Sequence, residues 1–384
     1  MTNEILDAAR QRGDALADAT VAAVFAAGDT LAVAQLLTTL MRDDQAAPAL
    51  PGPVADYLRA TAPLATAAPG ARSAGERIFA EYGPEIMMLL CCYSLPSSYA
   101  AKKGVQVLHR TAYLAKRPNR RLFETAQFIV NVLSPGGLGP DGKGVRTAQK
   151  VRLMHAAIRH LILRDTRAPW DTATLGVPIN QEDLVGTLMT FTWLILDGLA
   201  KLGNALVPED QQAYLETWLV VGRLMGVDEG LLPGTVAEAR ALTALIEARQ
   251  IAESPQGREM MAALLDMMRS NVPHAFHSVP ASLIREFLPP DVATFLGVPD
   301  HVFEQEMFRL ADDALRPLQW FTDREARRSA LVRAFSIHLL RAMMTVGLDG
   351  RPAGFVLPDS LSEGWHLAPG DSEESFWQKL RDRL

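Results

Sequence analysis

The chain has 384 residues, of which 48% are hydrophobic and 21% are charged, and its formal net charge is −6. A chain of this length and apolar content can bury a large core, either as one extended domain or as two packed subdomains. The acidic balance argues against nucleic acid as a partner, because nucleic-acid-binding proteins need a basic face. The two cysteines, Cys91 and Cys92, are adjacent, so they cannot form an ordinary disulfide framework and are typical of a reduced compartment.

The N-terminal part of the chain is rich in alanine and proline. Residues 1–41 are alanine-rich and amphipathic, and residues 46–75 carry five prolines in an alanine-rich background, which is typical of an irregular segment. We therefore expect N-terminal helices and a lead-in over 1–75, a main helical domain over 76–350 and a C-terminal tail over 351–384. The first residues lack a basic stretch followed by an apolar one, so we expect no export signal and a cytoplasmic protein.

Helical periodicity recurs through the rest of the chain, and we find no convincing strand alternation. The longest apolar run, 184–196, follows Asn180 as a plausible N-cap and predicts one central helix. This run is shorter than the about twenty residues that a bilayer requires, so we expect no integral membrane segment.

A helix predicted over 150–164 carries a histidine on its apolar face. His155 lies in step with the apolar residues of that face. Arg152 and Arg159 flank it, and their guanidinium groups could bind carboxylates such as haem propionates if the imidazole held haem iron. The same pattern fits a core histidine bonded to a carbonyl, with both arginines solvated or paired with acids. Periodicity alone leaves both interpretations open.

A second predicted helix, 120–132, places polar side chains beside a core. Arg121, Glu124, Thr125 and Phe128 fall on one stripe of this helix. Buried charges are costly unless they are paired, so such a cluster either neutralises itself or lines a cavity. A plain surface pair between Arg121 and Glu124 is the alternative.

The order of these motifs resembles the latex-clearing-protein family, which includes bacterial rubber oxygenases and the fungal oxygenase of the mycophenolic acid pathway. The resemblance runs from about Glu81 to about Gly203. The motifs that carry it are Arg-x-x-x-Thr at 121–125, a Pro-Gly loop at 134–140, Val-Arg-Leu-Met-His-Ala-x-x-Arg at 151–159 and Pro-Ile-Asn-Gln-Glu-Asp at 178–183.

The resemblance implies an all-α fold with a globin-like core and additional helices around a haem pocket. It implies a non-covalent b-type haem with His155 as the proximal axial ligand to the iron, and Arg121 and Thr125 match the polar pair on the distal helix. The reaction it implies is dioxygen-dependent cleavage of an isoprenoid carbon–carbon double bond to a ketone and an aldehyde. The chain has no Cys-x-x-Cys-His, so covalent c-type attachment is not expected.

One position departs from the family pattern. Where the secreted rubber-cleaving members carry a lysine just before the distal threonine, this chain has Glu124, which cannot act as a nitrogen ligand. Its carboxylate could orient dioxygen or act as a base on an allylic proton in a dry pocket. Because we expect no export, an apolar small molecule or isoprenoid is the expected substrate rather than an extracellular polymer. A haem-binding sensor or carrier without turnover and a cofactor-free helical interaction protein remain open alternatives.

Overall fold

The computed structural model describes residues 1–26, 52–62, 69–115, 118–140, 142–300, 324–345 and 357–365. Within these ranges the chain consists of helices joined by loops and turns, and one isolated antiparallel bridge joins Ala101 and Ile251. The predicted all-α fold is confirmed. Most of the C-terminal tail predicted over 351–384 lies outside the described residues, as does the part of the N-terminal segment over 27–51 and 63–68.

The described α-helices, numbered in chain order, are α1 Asn3–Arg10, α2 Ala15–Ala26, α3 Gly52–Thr61, α4 Pro69–Leu89, α5 Leu95–Ala100, α6 Val105–Ala115, α7 Pro118–Leu133, α8 Lys143–Arg164, α9 Thr172–Leu175, α10 Gln181–Phe191, α11 Trp193–Lys201, α12 Pro208–Leu224, α13 Val236–Gln250, α14 Pro255–Asn271, α15 Val279–Phe287, α16 Pro290–Phe295, α17 Arg324–Thr345 and α18 Asp359–Gly364.

The chain forms two compact units built from interleaved segments. Unit 1 comprises Met1–Glu76, Phe128–Thr192 and Glu209–Arg249. Unit 2 comprises Arg77–Gln127, Trp193–Pro208 and Gln250–Leu384. The first segment ends close to the predicted boundary at 75, but the units then alternate along the chain. The boundaries at 75 and 350 therefore stay predictions about consecutive domains.

The core of unit 1 forms where α2 and α3 pack on α8. Its buried members are small or apolar: Ala17, Val21, Val24, Val54, Tyr57, Leu153, Ala156 and Ala157. Polar side chains fix α3 in place as well. Gln149 donates from Nε2 to Leu58 O at 2.9 Å and to Thr61 Oγ1 at 2.8 Å, and Tyr57 donates its hydroxyl to Gln149 O at 3.1 Å. The N-terminal part of the chain is thus part of the same core as the histidine helix.

The segment expected to be irregular contains helix in its described part. Residues 52–61 form α3, and α4 already begins at Pro69. Each helix carries its proline in the first turn, where the missing N–H would have no partner within the helix and the fixed φ angle is already helical. The alanine background then supports helix formation, so Pro53 and Pro69 mark the starts of helices.

The apolar run predicted as one helix is divided into α10 and α11 at Thr192. The predicted N-cap is confirmed, because Asn180 Oδ1 accepts from the Asp183 N–H at 2.9 Å. The prediction of continuity was wrong. Thr192 has φ −107° and ψ −82°, outside the helical region, and its hydroxyl donates to Leu188 O at 3.0 Å. A threonine hydroxyl that bonds back to the preceding turn competes with the backbone and bends helices.

By length and composition alone, one segment of the described chain, Gln181–Lys201, is apolar enough to cross a membrane, and 56% of its most apolar window is buried. Buried core helices pass the same test, so this finding carries little weight.

In unit 2, the side chain of Trp365 fills a notch in the surface of α4, which we define by Gly83 and Pro84. Pro84 has no N–H, so it cannot donate to Ala80 O one helical turn earlier. Trp365 donates from Nε1 to that carbonyl at 2.9 Å, and its ring meets Phe79 edge-on with 5.3 Å between centroids. Gly83 leaves room for the indole, which is 1% exposed. The Gly83-Pro84 pair thus creates both the space and the acceptor that Trp365 uses.

We predict that Gly83→Ala and Gly70→Ala shift stability in opposite directions. An added Cβ at Gly83 would lie 2.5 Å from Cη2 and 2.8 Å from Cε2 of Trp365, so we expect a loss of about 2 kcal/mol by overpacking. Gly70 lies on the same helix with no neighbour within 4 Å of such a Cβ, and alanine there should gain up to about 1 kcal/mol. Guanidinium unfolding midpoints measure both effects. Equal midpoints for the two variants would show that the Trp365 indole does not fill the space beside Gly83.

Both cysteines lie on a π-helical turn, Leu90–Ser94, between α4 and α5 and are buried free thiols. Burial raises the pKa of Cys91 to about 12 and that of Cys92 well above its usual range. Because the thiolate is the reactive form, we predict that the folded protein reacts with a disulfide reagent at pH 8 at least about a thousandfold more slowly than a free thiol. Unfolding in guanidinium should release two fast-reacting thiols. A fast thiol before unfolding would show that the turn is accessible.

Candidate functional site

The candidate site in unit 1 is centred on the histidine of α8. His155 is half-buried, and its Nδ1 is shielded from solvent. Ala148 and Ile162 are buried on the same side of the helix, and Val151 and Ile158, next to the histidine, are half-buried. The accessible part of the imidazole therefore lies away from Nδ1, within an apolar strip.

This arrangement fits an axial ligand of a haem. A haem-ligating imidazole normally directs Nε2 to the iron and Nδ1 inward to the protein, and a flat apolar macrocycle needs an apolar strip beside the ligand. Among the residues that the structure describes, no group of three or more His, Cys, Asp or Glu side chains is placed to hold a bare metal ion. A haem needs only one protein side chain, and His155 has the right chemistry.

Arg152, three residues before the histidine, is buried in a paired site. Its Nε and Nη2 donate to the two carboxylate oxygens of Asp14 at 2.5 and 2.8 Å. Its Nη1 reaches the carbonyls of Arg223 and Leu224, at the end of α12, at 3.4 and 3.5 Å. Burial lowers the pKa of Arg152, but the hydrogen bond and charge of Asp14 outweigh it and raise the pKa overall. An added Cβ at Gly226 would lie 2.5 Å from Nε of Arg152, so only glycine fits over this pair.

Arg159, four residues after the histidine, occupies an equivalent site. It forms an ion pair with Asp18 and donates to Pro178 O at 2.9 Å and Ile179 O at 2.7 Å. Burial raises the pKa of Asp18, and the charge of Arg159 opposes that rise. Ile179 has φ +52°, which is rare for a β-branched residue and costs about 1–3 kcal/mol. The two bonds from Arg159 hold this strained turn.

The two arginines thus have carboxylate and carbonyl partners, which is the pairing that the sequence left open as the alternative. Their assignment to haem propionates stays a prediction, and we leave Arg152 and Arg159 out of the cofactor site proposed below. Sequence reasoning identified the arginines but missed Asp14 and Asp18. One local signal was available: Asp14 precedes the alanine-rich α2, and its Oδ1 accepts from the Ala17 N–H at 3.2 Å as an N-cap does.

The motif at 178–183 connects this region to the rest of unit 1. Gln181 donates from Nε2 to Gly13 O and to Gly226 O, both at 2.9 Å, and its Oε1 accepts from the Asp228 N–H at 2.8 Å. Its amide therefore connects Gly13, which lies beside the Asp18–Arg159 pair, with Gly226, which lies beside the Asp14–Arg152 pair. Sequence reasoning gave the motif only as a resemblance and did not find this role.

The next residue of the motif, Glu182, is a fully buried carboxylate between two arginines. Its Oε2 accepts from Arg10 Nη1 at 2.9 Å, and its Oε1 accepts from Arg249 Nε at 2.8 Å. Arg10 also donates from Nη1 and Nη2 to Asp183, at 3.1 Å each. A buried carboxylate is stable only with such partners, so α1, α10 and α13 are held together by this network.

The second predicted set of site residues lies on α7, in the part that belongs to unit 2. The helix passes through Arg121, whose side chain is outside the described part of the structure. Glu124 is exposed and Thr125 is half-buried, and each has a polar or electrostatic interaction. An exposed Glu124 differs from the enclosed carboxylate that a dry pocket requires, so its role as a base stays a prediction.

The chain is similar in sequence and in fold to known proteins. The chain is 26% identical over 267 residues to the rubber oxygenase of Streptomyces sp. (strain K30), and the match covers 66% of this chain and 63%, less than two thirds, of that protein. The fold is similar to that in a structure of latex clearing protein in the closed state, with a TM-score of 0.70, 23% identity, and coverage of 91% of this chain and 95% of that chain.

Residues 86–317 match a family model described as ER-bound oxygenase mpaB/B'/Rubber oxygenase, catalytic domain. The matched range contains both α7 and α8, with every residue predicted for the site. Because it covers more than half of the chain, the chain belongs to this family of oxygenase catalytic domains.

Proposed function

We propose that this chain is a b-type haem-dependent oxygenase that uses dioxygen to cleave a carbon–carbon double bond in an apolar, isoprenoid-like substrate. The observation that carries the proposal is the family match over 86–317, which includes His155 on α8. The haem, when bound, would supply the activation of dioxygen, which amino-acid side chains alone do not provide.

In this proposal His155 is the single protein ligand to the iron. Nε2 on the accessible part of the ring would bind the metal, while the shielded Nδ1 carries the proton and keeps the ring in one tautomer. The half-buried Val151 and Ile158 would contact the macrocycle and exclude water beside the ligand. The support for this assignment is the chemistry and burial of the ring, together with the family to which the chain belongs.

We assign the distal roles to α7, also as part of the proposal. Arg121 and Thr125 would provide hydrogen-bond donors where dioxygen binds, and Glu124 would act as the base that takes an allylic proton. The exposure of Glu124 favours contact with an entering substrate over permanent enclosure.

The substrate class is argued from chemistry. The curated relative is named a rubber oxygenase, and rubber is a polyisoprene, so the proposed substrate is apolar and carries isolated trisubstituted double bonds. We also propose a cytoplasmic location, which agrees with two buried cysteines that remain thiols.

The first experiment is an absorption spectrum of the purified protein as isolated, after reduction and after addition of carbon monoxide. A Soret band that shifts with carbon monoxide supports a haem with an open coordination position. No Soret band after reconstitution with haem would contradict the proposal and favour a cofactor-free interaction protein. Stable dioxygen binding without product from any alkene would favour a sensor or carrier.

We predict that His155→Ala lowers haem content at least about tenfold, because it removes the only axial side chain in the proposed site. The matched control is His160→Ala on the same helix. His160 packs against Phe25 with 4.4 Å between ring centroids and the two ring planes tilted by 37°, and its Nδ1 lies 2.9 Å from Arg164 Nη1, so it already has structural partners. Haem content is measured by the pyridine haemochrome assay. Full haem content in the His155 variant would refute the ligand assignment.

We predict that Thr125→Ala and Glu124→Gln both retain haem and lower turnover of an alkene substrate. Loss of a positioned donor or of a general base typically slows a reaction about 10²-fold or more. Glu259→Gln is the control, since Glu259 is an exposed carboxylate of unit 2 whose Oε2 lies 2.7 Å from Nε2 of His109. An unchanged rate in the Glu124 variant would remove that residue from the mechanism.

A further inference from the structure

Two ion pairs made by buried arginines lie on either side of the proposed axial histidine on its own helix; the Asp14–Arg152 pair is buried on both sides, and Asp18 of the second pair is half-buried. Arg152 lies three residues before His155 and Arg159 four residues after it. The two ion pairs therefore hold α8 about one helical turn before and one turn after the histidine. Both carboxylates, Asp14 and Asp18, come from the start of α2. The same N-terminal segment therefore holds the histidine helix at two points.

A glycine lies beside each of these ion pairs, where a larger side chain would collide with it. An added Cβ at Gly13 would lie 2.6 Å from Asp18 Oδ2 and 2.9 Å from Arg159 Nε, and one at Gly226 would lie 2.5 Å from Arg152 Nε. Gln181 hydrogen-bonds to the carbonyls of both glycines. Two glycines at unrelated places in the chain thus leave room for the two pairs, and one side chain joins them.

We propose that Asp14 and Asp18 are positioning residues for His155, in that their ion pairs fix the rotation of α8 about its axis and thereby the direction of the imidazole. The haem part of this inference rests on the proposed function. An atom about 6 Å from a helix axis moves by about 1 Å when the helix turns by 10°. Displacements of that size at a reacting centre are enough to change ligand geometry and rate.

The mechanism of the effect is electrostatic. A guanidinium that loses its carboxylate inside the protein must move toward solvent or draw water inward, because an unpaired buried charge is unstable. Arg152 and Arg159 lie on a neighbouring side of α8 from His155, so their displacement turns the helix rather than only shifting it along its axis.

The test uses two variants that break the same pair in different ways. Asp18→Asn removes the charge, and Gly13→Ala leaves both charged groups in place and displaces them sterically. Asp228→Asn is the charge control, because its pair with Arg12 is exposed. Gly230→Ala is the steric control, because a Cβ there has no neighbour within 4 Å. The full chain is used throughout. If Asp18→Asn does not fold, Gly13→Ala still tests the same ion pair.

Two measurements are made on each variant. Hydrogen–deuterium exchange of peptides covering 151–159 reports on α8 with or without haem, and we expect about tenfold faster exchange in both pair-breaking variants and no change in either control. In haem-loaded protein, we expect about tenfold faster transfer of haem to an apo-globin acceptor and a shifted iron–histidine stretching band. A merely structural role would lower the melting temperature without moving that band.

The outcomes distinguish a failure of the proposed haem function from a failure of the positioning role. If the wild type takes up no haem, the proposed function fails, and the exchange data alone then decide whether the pairs hold α8. If the wild type binds haem and both pair-breaking variants keep wild-type exchange, haem transfer and stretching band, the positioning role of the Asp18–Arg159 pair is overturned. A change in Asp18→Asn that Gly13→Ala does not share would also overturn it, because displacing the paired groups would then leave α8 and the imidazole unmoved.

Discussion

The arrangement of unit 1 depends on buried guanidinium groups that must have carboxylate partners. Arg10, Arg152 and Arg159 are each less than a tenth exposed, and each pairs with an acid far away in the chain. Removing one partner from a buried pair typically costs about 3–5 kcal/mol, so none of the three can be left alone. Three distant parts of the chain, the first eighteen residues, α8 and the start of α10, therefore become ordered together.

This constraint also gives a physical reason for the motif at 178–183. Pro178 and Ile179 accept from Arg159, Asn180 caps α10, and Gln181 bridges two loops. The strain of the left-handed Ile179 is offset by the bonds that its neighbours make. This motif, which lies within the range that matches the family model, thus consists largely of residues that hold the segments around the histidine helix in place.

Much of the local structure could be predicted from sequence, because it depends on nearby residues. The periodicity over 150–164 and 120–132 identified α8 and α7, and Asn180 was recognised as a cap from its position before an apolar run. Long-range pairings could not be predicted in this way. Asp14 and Arg152 are 138 positions apart, and no local pattern indicates which acid meets which arginine.

In the candidate site, too, the features set by nearby residues could be predicted and those set by distant residues could not. His155 was identified from one helix face, and its half-buried ring with a shielded Nδ1 agrees with an inward-facing imidazole. The partners of Arg152 and Arg159 depended on a segment more than a hundred residues away, and the exposure of Glu124 depended on tertiary packing. The break at Thr192 arose from a hydroxyl that bonds to its own helix, an effect that hydrophobic periodicity does not register.

The notch at Gly83-Pro84 links two distant positions in evolutionary terms. Proline at 84 leaves the Ala80 carbonyl without its helical donor, and Trp365 supplies the N–H that replaces it. In a relative with any other residue at position 84, a backbone N–H would donate to that carbonyl within the helix, and the indole would have to share its acceptor. We therefore expect a chain with proline at 84 to keep tryptophan at 365, because with the proline alone the Ala80 carbonyl would lack a donor at this place.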